Sequence, residues 1–140
     1  MVRLAMSRPE TWLRVVPGGL YCEPGDFFVD PTRPVDRAVV THGHGDHARP
    51  GNRQVLATPE TIAIMRARYG EDAGGSLQPA NYRETVSVNG VSVTLVPAGH
   101  VLGSAQAVIE YRGSRVVVQR IRPGGRRELV RHGDVPGWSQ

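Results

Sequence analysis

The sequence lacks lysine altogether, has a single cysteine, and contains no long apolar run. One cysteine excludes an intramolecular disulfide and zinc sites built from several thiolates, so any metal site must use nitrogen and oxygen ligands. We interpret Cys22 as a small buried residue rather than a nucleophile. No stretch approaches the roughly 18 consecutive apolar residues of a membrane helix, and the N-terminus lacks the pattern of a secretory signal. We therefore expect a cytoplasmic protein with no membrane partner.

Positive charge is carried by 17 arginines, which give a net charge of +4 over 140 residues. The excess is uneven, because residues 1–118 contain 12 arginines and 11 acidic residues, whereas residues 119–140 contain five arginines and two acidic residues. A body so close to neutrality does not predict nucleic-acid binding on charge alone. The length suits one domain with a sizeable core.

Short apolar runs separated by turns, with one clear helix, predict an α+β fold. Two short strands are predicted within residues 20–31, one on either side of Pro24-Gly25, and two more form a hairpin with a type I′ turn at Asn89-Gly90. Three further strands are predicted over Arg37–Thr41, Ala105–Tyr111 and Arg115–Val118. The predicted helix begins after Thr58 as N-cap and ends at Gly70, with Ile62, Met65 and Tyr69 as core-packing residues and Arg66 and Arg68 turned elsewhere. Residues 71–80 are predicted to be a loop.

Three of the five histidines fall within the stretch THGHGDHARPG, which follows the strand predicted to end at Thr41. His42 and His44 are two apart on extended backbone, so their side chains are expected to point the same way towards one ion. Asp46 and His47 follow as the chain turns and are expected to face a second ion. Imidazole suits zinc, manganese or iron, and the carboxylate adds negative charge.

Glycines separate these ligands, and we expect the absence of Cβ atoms at Gly43 and Gly45 to permit a close approach of backbone and ligands. The simpler alternative is that clustered histidines are surface or core residues, and we place His132 in that class. The boundaries of this cluster, a strand on one side and a Pro-Gly turn on the other, favour a metal-site motif.

The HxHxDH pattern of THGHGDH resembles the metallo-β-lactamase superfamily, and the segments FFVDP and LVPAGHVLGSAQ add Asp30 and His100 in the matching order. AGHVLGSA is similar to the β-CASP-like nuclease branch. With GLYCEPG, PVDRAVVTHGH and ATPETIAIMRARYG, the chain most resembles bacterial ligase-associated DNA exonucleases over residues 11–118.

This resemblance implies an αββα sandwich and two divalent metal ions, zinc or manganese. It assigns His42, His44 and His100 to the first ion, and Asp46 and His47 to the second, with Asp46 also catalytic. Asp30 would orient a histidine without binding metal itself. The ions would activate water for attack on a phosphodiester of DNA, or of RNA, in a repair system with a DNA ligase or helicase. Gly103 and Ser104 are either backbone donors to a phosphate or a plain turn.

The resemblance calls for a Gly-Asp pair after Val118, whose aspartate bridges the two ions, whereas this chain continues Gln119-Arg120-Ile121. The cap domain and later motifs of the family pattern also have no counterpart. We therefore expect the N-terminal half of a metallo-β-lactamase-like domain over residues 1–118, and a divergent, poorly ordered, arginine-rich tail over residues 119–140.

Three functions remain open from the sequence. The first is a metal-dependent exonuclease-like hydrolase that is weakly active or inactive because the bridging aspartate is missing. The second is a non-catalytic metal-binding fragment or pseudogene product, for which a shifted reading frame near codon 119 is one origin. The third, a small-ester or thioester metallohydrolase, is disfavoured by AGHVLGS.

Overall fold

A computed structural model describes residues 8–45, 47–99, 103–120 and 127–131, with the backbone alone for residues 120 and 127–131. Two helices lie in these ranges, α1 (Pro9–Trp12) and α2 (Pro59–Tyr69), with a short 3-10 turn at Gly70–Ala73. The strands are β1 (Leu13–Val16), β2 (Gly19–Cys22), β3 (Phe27–Val29), β4 (Arg37–Val39), β5 (Gln54–Ala57), β6 (Ser76–Pro79), β7 (Thr85–Val88), β8 (Val91–Pro97), β9 (Ala105–Tyr111), β10 (Ser114–Arg120) and β11 (Arg127–Arg131). The predicted α+β class is confirmed.

The strands form two sheets that suit a sandwich. The first sheet has the order β1-β2-β3-β4-β5-β6; β1, β2 and β3 pair antiparallel, and β3 to β6 pair parallel. The second has the order β11-β10-β9-β8-β7 and is antiparallel throughout. Side chains that alternate along each strand present one face of each sheet to a shared core.

That core is filled mainly by aliphatic side chains from both sheets. Phe27, Val29, Val39 and Leu56 of the first sheet share one buried cluster with Val91, Val93, Leu95, Ala107, Ile109, Val116 and Val118 of the second. The opposite face of the first sheet is covered by α2, where Ile62 and Met65 pack on Val40, Val55 and Ala57. The helix thus lies outside the sheet pair.

Helix α2 has the predicted limits. The Thr58 hydroxyl accepts a hydrogen bond from the Thr61 amide at 3.3 Å, and Gly70 ends the helix with a φ of 59°. The hairpin turn is confirmed too, since Asn89 and Gly90 have φ angles of 49° and 85°, as a type I′ turn requires. The prediction of a loop over residues 71–80 is wrong in part, because Ser76–Pro79 forms β6 and pairs in parallel with β5.

Strand β10 continues two residues beyond Val118, and β11 pairs with it antiparallel from Val116↔Arg131 to Arg120↔Arg127. Part of the predicted tail is therefore strand in the second sheet, while the predicted division at residue 118 stays a prediction. Neither helix of the described ranges, with four and 11 residues, has the length and apolar character that crossing a membrane requires.

Candidate metal centre

The carboxyl ends of the parallel strands gather the candidate residues at one edge of the first sheet. Asp30 directly follows β3, the histidine motif follows β4, and Thr58 follows β5. Ligand sites in sheets with parallel strands form at this edge, since the loops that leave the strands there lie side by side. Of the predicted ligands, Asp46 and His100 lie outside the described residues, and their assignments stay predictions.

Asp30 is a buried carboxylate at the base of the site, with 1% of its surface exposed. It accepts hydrogen bonds from the Thr41 amide at 2.8 Å and from the Thr41 hydroxyl at 2.5 Å, and Oδ2 lies 2.9 Å from Nδ1 of His47. Its φ of 46° is left-handed, a conformation that aspartate tolerates better than most residues. A buried carboxylate is costly unless it is hydrogen-bonded, and these contacts satisfy it.

His47 is fully buried, and its ring is oriented by Asp30. Because Nδ1 faces the carboxylate, the ring presents Nε2 on its opposite side. A carboxylate that holds one ring nitrogen of a histidine is the usual second partner of a metal-bound imidazole. The contact places Asp30 against a histidine ring, and both its role beside a metal ion and metal binding by His47 stay predictions.

The three histidine rings of the motif lie together. The ring centroids of His42 and His47 are 3.6 Å apart and those of His42 and His44 are 4.8 Å apart. The His44 amide donates to Nδ1 of His42 at 3.3 Å, and the His44 carbonyl accepts from the amides of His47 and Ala48 at 2.9 and 2.8 Å. The turn formed by these bonds brings His47 back beside His42.

Among the described residues alone, no three or more histidine, cysteine, aspartate or glutamate side chains are already arranged to hold a metal ion. The chemistry of the donors nevertheless fits one, because the clustered imidazoles offer the nitrogen ligands that zinc and manganese accept and a carboxylate orients one ring. Asp46 and His100 are the residues predicted to complete the site.

Gly43 packs directly against helix α2. A Cβ atom at Gly43 would lie 2.9 Å from a side-chain carbon of Ile64, so the absence of a side chain permits the close approach. At Gly45 the nearest described atoms would be 4.0 Å from a Cβ atom, so the described residues show no such close approach there. The Gly43 carbonyl accepts a hydrogen bond from the Arg68 guanidinium at 2.6 Å. Arg68 is exposed and lies off the core-packing stripe, as predicted, and its guanidinium reaches the histidine motif.

The loop that follows the position of His100 is also held through its backbone. The Gly103 carbonyl accepts hydrogen bonds from the Thr58 hydroxyl at 2.7 Å and the Thr61 hydroxyl at 3.2 Å. The Ser104 carbonyl accepts from the Tyr82 hydroxyl at 2.7 Å. These contacts are made by carbonyl groups, so a role of this loop as an amide donor to phosphate stays a prediction.

The comparisons with known proteins give partial matches. No family model matches the chain. The chain is 34% identical over 93 residues to a protein named Probable DNA ligase from Opitutus terrae, across 66% of this chain and 9% of that protein. It is 30% identical over 112 residues to a protein named Endoribonuclease YSH1 from Eremothecium gossypii, across 76% of this chain and 13% of that protein.

The chain therefore spans about a tenth of the length of these relatives, 9% of one and 13% of the other. Both relatives are named for activities on nucleic acid. These similarities agree with a nuclease-related superfamily.

Cys22 takes no part in this site. It is fully buried in β2, and burial raises the pKa of its thiol to about 11. Since the thiolate is the reactive form, the thiol is protonated and inert at neutral pH. We expect no reaction of the native protein with a thiol-specific disulfide reagent at pH 8 over minutes, and one equivalent of reaction after unfolding in urea. Rapid reaction of the native protein would contradict the buried position.

Proposed function

We propose that the chain carries part of the active site of a metal-dependent phosphodiester hydrolase that acts on nucleic acid, on a metallo-β-lactamase-like sandwich. The observation that carries this proposal is the grouping of His42, His44 and His47 at the carboxyl edge of the parallel strands, with His47 oriented by the buried Asp30. The α+β architecture, with two sheets and α2 on the outside, supports the fold assignment.

The residues proposed to hold the first ion are His42, His44 and His100, and those proposed for the second are Asp46 and His47, with Asp46 as the catalytic carboxylate. A divalent ion in such a site polarises a phosphoryl oxygen and lowers the pKa of water to about 7. Asp30 contributes by fixing the ring of His47 through Nδ1, so that Nε2 is the nitrogen proposed to bind the ion. Zinc and manganese are the proposed metals.

The proposed substrate is DNA at its ends, and RNA is the alternative. The support comes from the two partial relatives, one named as a DNA ligase and the other as an endoribonuclease. Similarity to a segment of a protein named as a ligase favours DNA and work beside a ligase in repair.

We propose that hydrolysis by this chain is weak, because a bridging carboxylate is missing. Val118 of β10 pairs with Ala107 of β9, so Gln119 and Arg120 extend β10 towards Ala105, at one end of the second sheet. At this end the Ala105 amide donates to the Thr41 carbonyl at 2.7 Å. This is the edge that bears the histidines. Two cations without a shared anionic ligand repel each other. The same observation favours a second candidate function, a metal-binding module without catalysis.

The first test compares two histidine variants. We expect the 140-residue protein to bind Zn²⁺ or Mn²⁺ in calorimetric titrations, and His42→Ala to weaken binding at least about tenfold because an imidazole ligand is lost. His132→Ala, which removes a histidine outside the motif, is the matched control and should bind as the unchanged protein does. Equal affinity of the two variants, or no binding by the unchanged protein, would contradict the proposal.

The second test restores the missing carboxylate. Gln119→Gly combined with Arg120→Asp supplies the Gly-Asp pair, and we expect it to tighten metal binding and to raise hydrolysis of an end-labelled DNA duplex about tenfold or more. The matched control replaces Arg120 by Asn beside the same Gln119→Gly change and thus alters shape without adding a carboxylate. If metal binding tightens but neither variant hydrolyses DNA or RNA, the module without catalysis is the correct function.

A further inference from the structure

We propose that helix α2 fixes the separation of the two loops that carry the predicted ligands, with Thr58, Thr61 and Arg68 as positioning residues. This inference rests on the proposed function, because the loops matter as carriers of His42, His44 and His100. The first loop, called the histidine loop, comprises the described residues 41–45 and 47–48. The second, called the Gly103 loop, comprises the described residues 98–99 and 103–104.

Both loops touch the same face of α2. Thr61, Ile64 and Arg68 are spaced i, i+3 and i+7, so their side chains lie along one stripe of the helix. The Thr61 hydroxyl donates to the Gly103 carbonyl, and the Arg68 guanidinium donates to the Gly43 carbonyl. Seven residues at about 1.5 Å rise place these two contacts about 10 Å apart along a rigid element.

Close packing accompanies the hydrogen bonds at both ends. A Cβ atom at Gly103 would lie 2.6 Å from the Cβ of Glu60 and 3.1 Å from the Thr61 amide nitrogen, and one at Gly43 would lie 2.9 Å from Ile64. Each loop therefore approaches α2 at a glycine, where the helix surface and the backbone are in direct contact. An approach this close leaves the loops little freedom to move relative to α2.

The second link between the loops is at their base. The Ala105 amide, which follows the Gly103 loop, donates to the Thr41 carbonyl at the start of the histidine loop at 2.7 Å. The loops are thus joined directly at the sheet and indirectly through α2. Gly43 lies between His42 and His44, and Gly103 follows His100 by three residues. A helix that holds both glycine carbonyls consequently sets the spacing of the two loops at Gly43 and Gly103.

The test begins with metal-free protein and a pair of arginine variants. Arg68→Met removes the donor to Gly43 and retains an unbranched stem. Arg66→Met makes the same charge change on the same helix, and both arginines are exposed. We expect amide exchange at Ala48, which bonds to the His44 carbonyl, to rise about tenfold in Arg68→Met, because a charged donor to the loop is lost. In Arg66→Met the exchange rate at Ala48 should stay within about twofold of that in the unchanged protein, a difference too small to reflect a lost hydrogen bond.

The other end is tested with threonine variants. Thr61→Val keeps the side-chain shape and removes the donor to Gly103, and Thr94→Val is the control, since its hydroxyl pairs with Thr85 in the second sheet at 2.8 Å. Exchange at Ala105 should rise several-fold in Thr61→Val relative to exchange at Val108, which reports opening of the whole sheet. Thr94→Val should leave that ratio unchanged.

The final readout is the affinity for Zn²⁺. We expect Arg68→Met and Thr61→Val each to weaken Zn²⁺ binding about tenfold, and Arg68→Lys to recover part of the loss, because positioning partners of metal ligands have effects of this size. The proposal is overturned if the amide-exchange rate at Ala48 is the same in Arg68→Met as in Arg66→Met. It is also overturned if the loops loosen while Zn²⁺ affinity is unchanged. Absence of Zn²⁺ binding by the unchanged protein refutes the proposed function, and the exchange comparison still decides whether α2 positions the loops.

Discussion

The described part of the site depends on the buried carboxylate of Asp30. It stands at the end of β3, where it accepts two hydrogen bonds from Thr41 and holds Nδ1 of His47. A carboxylate with 1% exposure is stable only with such partners, so the fold near Asp30 and the conformation of the histidine loop are determined together. Loss of Asp30 would remove a buried acceptor from the Thr41 amide, the Thr41 hydroxyl and Nδ1 of His47 together, and this makes the arrangement specific.

Around this centre, three kinds of contact restrain the histidine loop from different sides. From the first sheet, Asp30 accepts a hydrogen bond from the Thr41 amide. From the second sheet, the Ala105 amide donates to the Thr41 carbonyl, and from α2, Arg68 donates to the Gly43 carbonyl. Because the loop lacks strand pairing of its own between β4 and β5, its shape is set by these contacts and by the turn at the His44 carbonyl. Three layers of the fold thus converge on the residues that we propose to bind metal. The described histidines are held in advance, which would reduce the ordering cost of the proposed binding of an ion.

Local sequence signals predicted much of this fold, and contacts between distant segments were the part they missed. The Asn89-Gly90 turn and the limits of α2 were predicted, because turn and capping residues act through their own neighbourhood. Strand β6 was not, since SLQP has little apolar character and forms a strand by pairing with β5. In the site, the grouping of His42 with His44 followed from spacing, whereas the contact of Arg68 with Gly43 joins residues 25 apart and has no local signature. Asp30 was identified through family resemblance alone, and its left-handed backbone is visible only in three dimensions.

The most direct test of this account is the response of the His47 ring nitrogens to Zn²⁺, measured by long-range ¹H–¹⁵N spectroscopy on the 140-residue protein. We expect Zn²⁺ to shift the Nε2 signal while Nδ1 stays hydrogen-bonded to Asp30. Asp30→Asn should lower the Zn²⁺ affinity about tenfold or more, because an amide cannot serve Thr41 and His47 as the carboxylate does. Asp36→Asn makes the same charge change at an exposed position and should have no effect. A Zn²⁺-saturated protein in which Nε2 of His47 does not respond, or an Asp30→Asn protein that remains folded and binds Zn²⁺ as tightly as the Asp36→Asn control, would contradict it.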